Sequence, residues 1–513
     1  MASYIIRRLL LMVPTLIGIS FLVFMLIALS PGGIGAALRV SGGQAQASDR
    51  LLVQAYLEDR YGLDDPVLVQ YARWLGRISP LKFGPRDQRD PTGEIIRAPK
   101  GLRAPPLAGA WYGVGRVPSA PEAPASFELG STPAERVASY RRYANLAAQA
   151  RSASIGARAR LEQELGRYAE RHGLRGFVTR DGKIIESRFH AMRFDASSPG
   201  ADAVVAAGEE ALDKYREALE ARRGLEAAFA AGPFPEVGFW LWPGRVSLGP
   251  PDFGVVFSRG RPVLGMILDA LPITLLLNAI AFPIIYLIAV PTGILAATRQ
   301  GSWIDVGAGA LFVALWSVPV VWAGVLALGY LAHRDALGAF PVAGLHNPDA
   351  DAMPFMPRWT GGPGGGGFQR GFVLDTLWHI CLPVACLVYA GFAVLSKQTR
   401  AAMLDNFSAD YVRTAKAKGV AGGDIVLRHV FRNSLLPLIT IFATLFPAML
   451  SGSVVVERIF SVPGMGSLVI DAINLRDREL LLANVLMIAA VNLVALLIAD
   501  ILYALADPRI SYS

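Results

Sequence analysis

Cysteine is nearly absent from this chain. Cys381 and Cys386 are the only two in 513 residues, and both lie in one apolar run. They provide no disulfide for an exported segment and match no zinc spacing. The six histidines are scattered, and none forms an H-E-x-x-H cluster, so no metal ligands and no catalytic residues are expected. Charge is also scarce, at 18% of residues against 53% hydrophobic ones. That balance excludes a soluble enzyme and describes a polytopic membrane protein with one soluble portion. A phosphate loop is missing too. The glycine run over 361–367 lacks the lysine and hydroxyl residue that hold nucleotide phosphates and magnesium, and it reads as a flexible loop.

The net charge of +8 would suit nucleic acid, but no basic stripe with interleaved aromatics occurs, so no nucleic acid partner is expected. The basic residues flank apolar runs or sit in an Arg/Glu-mixed region, as topology signals and solvated faces do. Ionisable residues within the apolar runs are few. Asp500 is the clearest, with Asp269 and Glu457 near the ends. An ion-coupled carrier or channel, the first rival reading, usually needs buried charge along its path.

What the chain does have is apolar length. Leu9–Leu29 follows Arg7 and Arg8 and is long enough to span a bilayer, which takes about 20 residues. A cleaved signal peptide is the competing reading, but the run exceeds a typical h-region and Pro31 makes a poor cleavage site. The two arginines place the N-terminus in the cytoplasm. Further runs are Leu271–Ala297, Val306–Leu331 (with Pro319), Trp378–Leu395, Leu435–Val456 and Ala483–Leu505. Six spans return the C-terminus inside. Prolines 272, 283, 291 and 319 favour a packed bundle, where neighbours can satisfy freed carbonyls.

Residues 31–262 hold no spanning run and are expected outside. Segment 51–78 reads as two amphipathic helices hinged at Tyr61-Gly62-Leu63, and 80–124 as an irregular Pro/Gly-rich loop. Thr132-Pro133-Ala134-Glu135 is a capping box that opens a helix toward Gly173, with a break near Gly156. Residues 177–189 signal a hairpin, and a second helix over 201–231 stops at Gly232-Pro233. The helices have narrow apolar faces, so this lobe is expected to pack on the membrane portion or a partner and to lack a large core of its own. A membrane-anchored sensor with a working outer lobe is the second rival.

Asp405–Pro437 (DNFSADYVRTAKAKGVAGGDIVLRHVFRNSLLP) is short, basic and set between two spans. It reads as two small helices. Ser408 or Asp410 can cap the first, Lys416 and Lys418 fall in its last turn, and Gly419 stops it; Asp424 can cap the second. Such a pair suits docking of a soluble partner.

Several stretches resemble the permease subunit of ATP-binding-cassette importers of the oligopeptide/dipeptide/nickel class. They are Tyr4–Leu10, Gly62–Leu75, Leu271–Leu277, Asp410–Val420 continuing through Arg428–Pro437, Val456–Gly466 and Asp500–Arg509. The resemblance implies an all-α polytopic membrane protein with the six-span type I ABC importer transmembrane fold. It covers both ends and most of the membrane portion but lapses over about Pro85–Glu236. The implied division is a transmembrane helix at 1–30, outer-loop segments at 31–84 and 237–262, an extra α-rich extracytoplasmic insertion at 85–236, and a five-span core at 263–513 with a coupling loop at 397–434.

In that family the loop carries the EAA motif, whose coupling helix rests on an ATPase subunit. Carried over, the coupling positions are Arg413, Thr414, Ala415 and Gly419, with Tyr411, Lys416 and Lys418 beside them. Arg413 replaces the motif's glutamate and Thr414 its first alanine. Ala415 and Gly419, four apart, are expected to give a smooth face for close approach. Val456–Arg478 would line or close the outer mouth, with Glu457, Phe460, Pro463, Gly464 and Gly466 as candidates; a structural turn at Pro463-Gly464 is the plainer reading. The resemblance further implies a second permease, homologous or identical, cytoplasmic ATPase subunits that hold ATP and magnesium, an extracytoplasmic substrate-binding protein, and residence in a bacterial or archaeal cytoplasmic membrane. No cofactor is expected in this chain.

Overall fold

The computed structural model describes residues 2–29, most of 51–104, 131–179, 185, 195, 197–256, 259–360, 367–475 and 477–506. The chain divides into two compact units. One is Met25–Asp252; the other joins Met1–Phe24 to Phe253–Ser513.

In the Met25–Asp252 unit, helix Val67–Ile78 follows Gly62, whose φ of 65° turns the chain. The second half of segment 51–78 is therefore helical as expected, whereas much of the first half lies outside the described residues. The passage read as a loop holds three short strands, β1 Leu81–Phe83, β2 Gln88–Arg89 and β3 Ile95–Ile96. The partner of β1 is distant in sequence, which is why no local pattern announces it. Strands β4 Phe239–Trp242 and β5 Val246–Leu248 return beside it in an antiparallel sheet of order β1-β5-β4. The buried Gln88 amide fastens this neck, donating to the Phe229 carbonyl at 3.0 Å and accepting from Phe234 N–H at 3.2 Å.

Helix Pro133–Arg171 starts on the expected capping box. Thr132 Oγ1 accepts from Glu135 N–H at 3.3 Å, and the Glu135 carboxylate accepts from Thr132 N–H at 3.0 Å. The expected break at Gly156 does not occur. An added Cβ there would sit 3.3 Å from Leu51, so this glycine marks a close approach and the helix runs on. Helix Ala201–Ala230 ends before Gly232, at φ 63°. The hairpin expected over 177–189 lies mostly outside the described residues. The two long helices share a core of Leu161, Leu165, Tyr168, Val204 and Leu212, with small residues such as Ala157, Ala169 and Ala211 between them. Alanine lets the helix axes come close enough that narrow apolar faces share this small core. Beside it, buried Arg151 pairs with Glu58 at 2.8 Å and Arg222 with Asp59.

Among the described residues, chiefly in the second unit, four helices are long and apolar enough to cross a membrane: Tyr4–Leu29, Val263–Thr298, Gly371–Phe407 and Arg478–Tyr503. Two bent pairs, Trp303–Trp316 with Val320–Ala332 and Gly422–Phe431 with Leu435–Pro447, raise the number to six if each is one span. The first pair bends by 88°, so the run expected as one helix over 306–331 is broken. Pro319 is extended (ψ 138°) and lacks the N–H needed to continue the preceding helix. Short strand pairs complete the unit, β6 Val255–Val256 with β7 Arg261–Pro262 and β8 Arg358–Thr360 with β9 Gly367–Gln369. The glycine run between β8 and β9 lies mainly outside the described residues.

Helices Val263–Thr298 and Gly371–Phe407 approach closely where side chains are smallest. A Cβ on Gly293 would fall 2.6 Å from Thr399 Cβ and 2.7 Å from the Ser396 carbonyl, and one on Gly391 would fall 2.9 Å from Ile285. Small residues at such crossings let backbones meet in a membrane. Gly293→Val is expected to destabilise the unit by about 1–3 kcal/mol through overpacking, seen as a lower thermal midpoint in detergent.

Lys82 supplies a pH test of the other unit. It is 6% exposed and donates to the carbonyls of Gly76 and Arg77. Burial, with Arg97 nearby, brings its pKa from 10.5 down to about 8. Below pH 8 the folded chain bears a buried charge. Between 8 and 10.5 it sheds that proton while the unfolded chain keeps it, so stability rises with pH through this window. Pulse proteolysis of the 25–252 region should show that rise, and Lys82→Met should remove it.

Candidate functional site

Residues 397–407 of the stretch expected as a loop over 397–434 still belong to helix Gly371–Phe407, and the chain leaves that helix at Ser408. Ser408 does not cap the next helix, because its hydroxyl donates to the Asp405 carbonyl at 2.7 Å and closes the preceding one. Helix Asp410–Ala417 starts after extended Ala409 with no side-chain cap, so Asp410 sits in its first turn and caps nothing. It ends as the sequence suggests. Lys416 is in the last turn, Lys418 follows it, and Gly419 takes φ 75°, with Gly419 N–H donating to Lys416 O and Val420 N–H to Ala415 O. That pair of bonds is the Schellman closure, in which glycine avoids left-handed strain.

Asp424 is not a cap either. It lies inside a helical stretch, Gly422–Asp424 continuing with wider π-type turns over Ile425–Phe431, and its carboxylate meets Arg428 at 3.2 Å. Val412 (0% exposed) and Ala415 (7%) turn inward against Ala297, Met403, Ile425 and Val430. Ala415 therefore belongs to the chain's own core, and the expected smooth face shared with Gly419 does not form. The spacing of four was right for a helix, but Gly419 lies beyond the helix end. The exposed side is made of Tyr411, Arg413, Thr414, Lys416, Lys418 and Gly419. Arg413 pairs loosely with Asp410 at 3.5 Å, and Thr414 Oγ1 donates to the Asp410 carbonyl at 3.1 Å.

A hydrogen-bonded chain ties this helix to its neighbours. Tyr411 OH donates to Asn406 Oδ1 at 2.8 Å, and Asn406 Nδ2 donates to Ser434 Oγ at 3.1 Å. Ser434 is fully buried and lies within reach of the Ala402 and Val430 carbonyls. Asn406 stands in the last turns of helix Gly371–Phe407, and Ser434 immediately precedes helix Leu435–Ile459. Sequence reasoning passed over Val412, Asn406 and Ser434. The i, i+3 spacing of Val412 and Ala415 was the available signal for the inward face. In the helical part of that stretch, Arg400 grips Asp305 through two bonds of 2.7 and 2.9 Å, and Gly301 N–H adds a third to that carboxylate.

The outer-mouth candidates separate. Glu457, Phe460, Gly464 and Gly466 are buried, and only Pro463 is exposed. Thr274 Oγ1 donates to Glu457 Oε1 at 2.7 Å, Ser467 N–H donates to Oε2 at 3.0 Å, and Met465 N–H donates to Thr274 Oγ1 at 2.8 Å. A Cβ on Gly464 would meet the Glu457 carboxylate at 2.5 Å, and one on Gly466 would meet Val454 Cα at 2.4 Å. The four buried residues hold the turn together and offer no surface to solvent, so the plainer structural reading describes them. Thr274→Val strips Glu457 and Met465 N–H of a partner at once. It is expected to destabilise by about 1–3 kcal/mol, measured as the thermal midpoint in detergent.

Residues 289–512 match the family model described as the inner membrane component of binding-protein-dependent transport systems. The oligopeptide transport system permease protein AppB of Bacillus subtilis is 37% identical over 278 residues, covering 54% of this chain and 80% of the relative. The inner membrane ABC transporter permease protein YejB of Escherichia coli O157:H7 is 34% identical, covering 51% and 68%. The di/tripeptide transport system permease protein DppB of Pseudomonas aeruginosa is 32% identical, covering 61% and 90%. Sequence likeness at that coverage and the apolar helical unit agree, and the chain belongs to the inner-membrane permease components of binding-protein-dependent ATP-binding-cassette transport systems.

Proposed function

We propose that this chain pairs with a second permease, homologous or identical, to form the import pathway for peptides, and that helix Asp410–Ala417 receives the stroke of a cytoplasmic ATPase subunit. The peptide assignment rests on what the named relatives transport. In this reading both termini and the 397–434 loop are cytoplasmic, and the 85–236 insertion lies outside, where a substrate-binding protein delivers its cargo. ATP and magnesium belong to the ATPase subunit.

One observation carries the coupling role: the helix is built in two halves that do different things. Val412 and Ala415 seat it on the chain's own core, while Arg413, Thr414, Lys416 and Lys418 stay exposed. A partner pressing on the exposed side moves the seat with it. Tyr411 and Asn406 pass the displacement to helix Gly371–Phe407, and Ser434 passes it to helix Leu435–Ile459. A rigid-body transition between two packings then alternates access. The exposed cations suit acidic groups on the partner.

Gly419 separates backbone from contact. No atom lies within 4 Å of a Cβ built there, so within this chain only its φ of 75° resists substitution. A left-handed backbone costs an ordinary side chain about 1–2 kcal/mol, whereas asparagine tolerates it. The permease pair, ATPase subunits and loaded binding protein would be reconstituted and ATPase stimulation measured. Gly419→Val is expected to abolish stimulation while leaving membrane insertion intact, and Gly419→Asn to retain most of it. Normal peptide transport by Gly419→Val would count against the docking role. Uptake that persists without ATP and follows an ion gradient would overturn the ATP-driven reading altogether.

A further inference from the structure

The sheet at the neck of the Met25–Asp252 unit has two unlike faces. Its register puts Lys82 beside Ser247 and Trp240 on one side. Lys82 and Ser247 are 6% and 1% exposed. On the other side Leu81 aligns with Leu248 and Phe239, and Phe83 with Val246 and Trp242. Every residue of that second face is apolar. Phe83 is 77% exposed, Trp242 63% and Phe239 56%. The register shift between Trp240 and Trp242 also brings out Leu241, at 52%. An antiparallel sheet that meets water normally turns polar side chains toward it, so a wholly apolar outer face marks a surface with an occupant.

We propose that this face lies in the interfacial zone of the lipid bilayer, with Phe83, Phe239, Leu241 and Trp242 set among headgroups and upper acyl chains. Two observations select lipid. The first is continuity with a bilayer span. Gly254 accepts from the N–H of Val263, the first residue of apolar helix Val263–Thr298. Only residues 249–254 separate β5 from that bond, and six residues reach at most about 20 Å when fully extended. A surface on so short a tether meets the membrane at high effective concentration. The second is composition. The β4–β5 turn reads Leu241-Trp242-Pro243-Gly244-Arg245, with exposed Arg245 beside the aromatic residues. Tryptophan with flanking arginine is the chemistry of the headgroup region, where an apolar ring and a cation are both satisfied. The inference rests on the chain being a multi-pass membrane protein and not on its coupling helix.

The test uses the full chain, with Cys381→Ser and Cys386→Ala, in phosphatidylcholine/phosphatidylglycerol nanodiscs. An environment-sensitive label is placed at Phe83→Cys, at Trp242→Cys, or at Asp213→Cys, a helix position whose side chain is 67% exposed. Lipids bearing nitroxides in the headgroup or upper chain should quench positions 83 and 242 severalfold more strongly than position 213. Equal quenching at all three positions would overturn the proposal. So would shielding of 83 and 242 from both the lipid nitroxide and an aqueous quencher, since a protein partner such as a second copy would then cover the face. If labelling perturbs the lobe, as proteolysis would reveal, Trp242→Phe alone decides: it should remove part of the tryptophan emission quenched by brominated lipid, and no change would sink the idea. ATPase stimulation in matched reconstituted samples reports the transport reading separately.

Discussion

The backbone contact between helices Val263–Thr298 and Gly371–Phe407 is the constraint on which the membrane unit depends. Gly293 leaves no room for even a methyl group between itself and Thr399. Polar bonds reinforce the same end of the pair. Asp305, just past the first helix, holds Arg400 of the second with two bonds, and Ser302 Oγ accepts from Asp305 N–H to start the next helix. A crossing this close cannot slide by small amounts, because the gap is already filled. The two helices therefore act as one stiff body.

The 397–434 stretch is seated on that stiff pair. Its buried side joins Ala297 from the end of one helix to Met403 from the end of the other. Displacing helix Asp410–Ala417 thus loads both partners of the close crossing together. The Asn406–Ser434 bond adds helix Leu435–Ile459 to the set. At the far end of that helix, Glu457 holds the turn through Thr274, which belongs to helix Val263–Thr298. Helix Leu435–Ile459 is thus tied to helix Gly371–Phe407 at one end and to helix Val263–Thr298 at the other.

Much of this was legible where the signal is local. The Thr132/Glu135 box and the Gly419 stop each depend on neighbours within one helical turn, and each is found where the pattern put it. Features set by distant chain were not legible. Ser408 has the chemistry of a cap for the following helix, but the Asp405 carbonyl of the preceding helix claims its hydroxyl. Ala415 faces its own core because Val412 and a distant Ala297 complete a cluster there. Glu457 reads as a polar residue on a loop, and its partner Thr274 lies far back in the chain. Pro319 reads like Pro272, Pro283 and Pro291, yet those three stay inside one helix and Pro319 ends another. What surrounds the freed carbonyls decides, and periodicity does not record it.

The pairing of Leu81–Phe83 with Val246–Leu248 sets a final relation. Antiparallel neighbours lie about 5 Å apart, so the chain leaves for the insertion and comes back at nearly the same point. Whatever is carried between those strands, the flanking sequence sees only a closed gate of fixed width. Such a junction allows the enclosed lobe to lengthen, shrink or change its surface over evolutionary time without re-registering either neighbour.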